Sequence, residues 1–169
     1  MIYIAVTRFN ETTFQEFQNF YKEKNINNCI YNVPVPIKQK FDKDSHFIVL
    51  EMNNSTNEIM GIGLINNLVQ YNKYNVYSDS NYNRFCYEGK NRISNNSFSI
   101  KEKETIQHLE NICFKGKRHL KRGQGIQIIS ALTVHHYLRE HDDIQLLLPL
   151  QEMFLHRFGK KKNSFKIEN

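Results

Sequence analysis

The chain has 169 residues, a mass of 20.2 kDa and a formal net charge of +6. That length suits one domain and buries roughly 70% of the unfolded chain's surface, so no disulfide or metal staple is required. A hydrophobic fraction of 40% with 12% aromatics excludes a disordered chain, and no uncharged apolar run approaches the ~18 residues of a membrane helix.

The N-terminal stretch lacks the basic segment and cleavage site of a signal peptide. Cys29, Cys86 and Cys113 lie far apart with no CxxC pair, which indicates neither a disulfide framework nor a zinc site. A reducing intracellular compartment, cytoplasm or nucleus, is the expectation. Asn is abundant, with 21 residues, and Ala occurs only twice. This is AT-rich codon usage, so asparagine is background and its clusters carry little weight.

In chain order, residues 1–9 alternate as a strand. Thr12 with Gln15 reads as a capping box, and Phe14, Phe17, Phe20 and Tyr21 follow at helical spacing up to about Lys24. The segment from Val33 to Ile37 is extended, because each proline disfavours helix at the residue before it. Residues 47–52 and 59–65 form a hairpin around an Asn-rich turn. Gly61 and Gly63 share one face of the return strand, which marks a bulge, a close approach or a tightly packed face. Short strands are expected at residues 84–87 and 92–93. Ser99 with Glu102 is a second capping box, opening a helix from Ile100 to Phe114. Residues 126–129 are ambiguous between strand and helix. Leu132, Val134, Tyr137 and Leu138 lean helical. Ile144 to Leu148 reads as a short strand ending at Pro149, and Gln151 to Phe158 as a last helix with Gly159 as its cap. The sum is an α+β fold with a mixed or antiparallel sheet and several helices, one domain over residues 1–159 and a basic tail at 160–169.

Charge is unevenly placed. Residues 1–114 balance, and the entire excess lies in the last third, at Lys115, Lys117, Arg118, Lys121 and Arg122 and again at Arg157, Lys160, Lys161, Lys162 and Lys166. In the first cluster five of nine residues, 114 to 122, are cationic. Cations suit a helix C-terminus, but one or two suffice for that. Five close together repel one another unless an anionic partner neutralises them. Gly116, Gly123 and Gly125 let the backbone wrap such a partner, and His119 and Gln124 are placed to contact a base edge or sugar. Tyr87 and its aromatic neighbours offer stacking surfaces, and Arg92 a further cation. Nucleic acid is the expected partner, bound through residues 115–125 without catalysis. No Walker loop, GxGxxG loop or carboxylate dyad is present. His135, His136 and His141 lack metal-ligand spacing, so no metal or cofactor is expected, and Cys113 with His119 is a weak nucleophile–base pair.

Arg122-Gly-Gln-Gly125 resembles the pyrophosphate loop of GNAT-type N-acetyltransferases, which implies an acetyl-CoA-dependent alternative using the amides of 123–127. The pattern departs from that family at Gln127 and at Leu155, where a general-acid Tyr is often found. Val6-Thr7-Arg8-Phe9-Asn10, Val49 to Asn54, Gly61 to Ile65, Tyr87-Glu88-Gly89 with Arg92-Ile93, and Phe114-Lys115-Gly116 with His119 to Gly125 resemble landmarks of an uncharacterised family of large nucleocytoplasmic DNA viruses. That resemblance implies viral origin, in the virion or the host cell, and no activity. A weaker similarity to PUA-like (EVE or ASCH) barrels rests on the strand-rich first half. A third reading is an interaction module whose basic face docks an acidic protein.

Overall fold

Ile2, Ile4 and Val6 alternate with Tyr3, Ala5 and Phe9, and both sets are apolar because the first strand is covered on both faces. The computed structural model describes residues 1–141 and 144–159. Along them run β1 (Ile2–Phe9), α1 (Glu11–Glu23), β2 (Cys29–Val33), β3 (His46–Asn53), β4 (Glu58–Asn66), β5 (Val69–Tyr71), β6 (Phe85–Gly89), β7 (Asn91–Ser94), α2 (Ile100–Phe114), β8 (Gln127–Ile128), α3 (Ala131–Leu138) and α4 (Leu147–Phe158). Short 3-10 turns occupy Ser80–Asn83 and Asn95–Ser97.

The strands form two sheets. The larger is mixed, in the order β7-β4-β3-β1-β8, with β1 parallel to β3 and every other pair antiparallel. The smaller is antiparallel, β2-β6-β5. The hydrogen-bonded strands thus make two sheets with edge strands rather than one closed barrel. Against the first face of the large sheet pack α1 and the small sheet, in an aromatic-rich core containing Phe9, Phe14, Phe17, Tyr31, Phe47 and Tyr87. Against the second face pack α2 and α4, through Leu109, Ile112, Leu150 and Phe154, in an aliphatic core with Ile48, Leu50 and Ile62. The α+β expectation holds, as does the 47–65 hairpin.

Local corrections have physical causes. The cap of α1 is Asn10 rather than Thr12: its side chain accepts from the Thr13 amide at 2.8 Å, and Thr13 Oγ1 accepts from the Asn10 amide at 3.0 Å. The Ser99–Glu102 box and the bounds of α2 are as expected. Strands β6 and β7 are adjacent in sequence but lie in different sheets, β6 on β2 and β7 on β4. Ile144 to Leu148 is not a strand. Leu147 already begins α4, and Pro149 sits in its first turn, where a missing N–H leaves no intrahelical bond unmade. The basic tail at 160–169 lies outside the described residues.

Candidate nucleic-acid interface

Helix α2 ends at Phe114 with Lys115 as an extended cap whose amide bonds the Asn111 carbonyl. Gly116 then adopts φ +73, with open space around the position a Cβ would take. The left-handed step turns the chain back, so that the Leu120 amide donates to the Cys113 carbonyl at 2.7 Å. The loop from there to β8 is fastened from two directions. From β1, the Arg8 guanidinium donates to the carbonyls of Leu120 and Gly125 and to Gln127 Oε1. From the β3–β4 turn, Asn54 donates to the Lys121 carbonyl at 3.0 Å, and Asn57 accepts from Lys121 Nζ at 2.7 Å. Arg8, Asn54 and the glycine-rich loop are far apart in sequence and meet here.

This fastening divides the five cations. Lys115, Lys117 and Arg118 are exposed and line a groove of about 700 Å³. Lys121 is occupied by the hairpin turn, and Arg122 is exposed away from the groove. The opposite wall is α3 and the turn after its end, through Thr133, His136, Tyr137, Glu140 and His141. Tyr137 is set edge-on to His108 and stacked on His141, with centroids 4.1 Å apart and planes at 14°. Its hydroxyl takes a hydrogen bond from Asn111 Nδ2 and lies 2.8 Å from His108 Nδ1. Glu140 is the one carboxylate among the described lining residues, and none of the three cations has a carboxylate within 4.0 Å among them.

The other expected site residues take different roles. Gly123, at φ +116, has the Gln127 side-chain amide where a Cβ would go, and Gly125, at φ +69, has Val35. These two glycines admit the protein's own chain, beside a cavity of only about 50 Å³. His119 is half-buried and accepts from the Lys121 amide, bracing the loop. Gln124 is exposed beside the same small cavity. Tyr87 is no stacking platform: it is 1% exposed, and its hydroxyl accepts from the Ile37 amide at 2.8 Å. Arg92 lies on β7, at the opposite edge of the sheet from the loop, and binds Glu51. Cys113 is buried and its thiol is pushed up to about 12 by burial, which removes it as a nucleophile. No group of three metal-ligating side chains occurs among the described residues. The aromatic wall at the end of α3 went unread in the sequence; its signal is Tyr137 followed four residues later by His141.

No family model, curated protein or solved structure matches the chain. The functional reading therefore rests on this geometry. No helix among the described residues is long and apolar enough to cross a membrane.

Proposed function

We propose that the protein binds nucleic acid in the groove between residues 115–118 and α3. The observation that carries this is the pairing of two unlike walls. One presents three exposed cations, Lys115, Lys117 and Arg118, without carboxylate partners among the described residues; the other presents an imidazole–phenol stack. Phosphates need the first and unpaired bases favour the second. The aromatic side of the groove selects single strands over duplex, because a stacked, paired base offers no open face. The GNAT-type reading has less support. The turn at Gly123–Gly125 is packed on Val35 and Gln127, the Gly125 carbonyl is taken up by Arg8 and the Gln124 carbonyl by the Gln127 side chain. We place the activity inside the cell, where the three unpaired thiols stay reduced.

Fluorescence anisotropy with labelled single-stranded and duplex DNA and RNA tests the reading, using wild type and the triple variant Lys115→Ala/Lys117→Ala/Arg118→Ala. Single strands are expected to bind tighter than duplex, with affinity falling steeply as salt rises, and the triple variant is expected to bind more weakly and with a shallower salt dependence. Absence of binding in every format at low salt refutes it, and binding of acetyl-CoA instead favours the alternative.

A further inference from the structure

A second cavity, of about 300 Å³, opens on the other side of the molecule between α1 and the β4–β7 edge. We infer that it is a binding site for a neutral, planar heterocycle of nucleobase size. It shares with the groove only the chemical class of its partner, and it stands without the groove.

Arg92 reaches this cavity from β7. Two of its nitrogens are fixed on Glu51, Nε at 2.7 Å and Nη2 at 2.6 Å, while Nη1 has no partner among the described residues. The guanidinium lies over the rings of Phe17 and Tyr21, 5.5 and 5.2 Å from their centroids, and borders the cavity. Glu51 cancels its charge, and no other Lys, Arg, Asp or Glu lines the space. The site therefore does not select a bare anion. It offers the unpartnered Nη1 amino group of a rigid planar guanidinium, apolar walls from α1 and Met60, and the side-chain amides of Asn95 and Asn96. A flat ring with a carbonyl or ring nitrogen matches all three: an acceptor for Arg92, faces for the apolar walls and an edge for amides that both donate and accept.

The fold is built around this guanidinium at its own expense. Strand β4 carries no side chain at Gly61 or Gly63, where a Cβ would come 2.7 Å from Glu51 Oε2 and 2.1 Å from the Tyr31 hydroxyl. An apolar cluster of the same volume would hold the sheet at least as well as a buried ion pair. Such a break with local packing rules is characteristic of functional positions. The Asn95 amide is loosely held, its Nδ2 4.0 Å from the Met60 sulfur and its Oδ1 accepting from Ser94 Oγ at 3.4 Å, and Asn96 is exposed. Both are available to a ligand.

Equilibrium dialysis with adenosine, guanosine, cytidine and uridine, up to about 1 mM, tests this. Wild type is compared with Asn95→Ala/Asn96→Ala at the mouth and with Gln18→Trp, which plugs the cavity from an exposed position on α1. Thermal unfolding confirms that both variants fold. Saturable binding of at least one nucleoside is expected, unchanged by salt because nucleosides carry no phosphate, and weakened about tenfold or more in both variants. No saturable binding, or binding that both variants leave intact, overturns the inference. Strand binding at the groove is scored separately by anisotropy, so either site can fail without the other.

Discussion

The Arg92 guanidinium grips Glu51 with two nitrogens in the protein interior, where the Glu51 carboxylate is wholly buried and also accepts from the Tyr31 hydroxyl at 2.9 Å. Removing one partner strands a charge that water cannot reach. Arg92→Met is expected to lower stability by about 3–5 kcal/mol in urea unfolding, and the double variant Glu51→Leu/Arg92→Met by less than the single one.

Gly63 leaves the space that the Tyr31 hydroxyl occupies. Gly63→Ala is expected to destabilise by about 1–3 kcal/mol through overpacking. In a Tyr31→Phe background the added methyl meets less, and the loss shrinks. A double-mutant cycle measures this coupling, and strict additivity would refute the proposed clash.

The Arg157 guanidinium, reaching from α4 to the N-terminus of α2, draws the Glu102 carboxyl from its ordinary 4.5 down to about 2. The folded value lies below the unfolded one, so the pair stabilises fully above the ordinary carboxylate range, and the gain is lost as pH falls through about 2. The stability difference between wild type and Arg157→Met is expected to be constant above pH about 5.5 and to diminish between about 5 and 2. Urea unfolding at a series of pH values reads it.

Burial pushes the thiols of Cys29, Cys86 and Cys113 each up to about 12. None is expected to react with a disulfide reagent at pH about 8 while the protein is folded, and all three in denaturant. Rapid labelling of a native thiol would contradict the packing of the strands and helix that carry them.

Arg8 holds the 115–125 loop through the carbonyls of Leu120 and Gly125 and, beyond it, Gln127 Oε1. Arg8→Met is expected to weaken strand binding by loosening the loop while leaving the salt slope near wild type. The Lys115/Lys117/Arg118 triple variant, by contrast, lowers the slope by about 2–3. Anisotropy across a salt series separates positioning from phosphate contact.

Elements whose signals are local were legible. The hairpin, α2 with its capping box and the aromatic face of α1 each follow from residues within a turn or a strand of one another. What was not legible depends on distant partners. Asparagine looked like compositional background, yet Asn83 Oδ1 takes hydrogen bonds from Asn32 and from the amides of Val76 and Tyr77, and Asn53 from two amides of the hairpin turn. Asn25, Asn57 and Asn72 hold left-handed backbone conformations. The basic loop was visible as charge, but which cations face the groove is decided by Arg8, Asn54 and Asn57. Tyr87 read as an exposed aromatic because β2 and β5, the strands that flank β6, carry no strong strand signal.

The placement of β1 has a consequence for how the chain assembles. Residues 2–9 are made before either of their sheet neighbours, for one flank of this strand is closed by residues 46–53 and the other by residues 127–128. Arg8 likewise waits for Leu120 and Gly125. This strand is therefore completed only after residues 127–128 have been made, and its open edge stays available for mispairing until then.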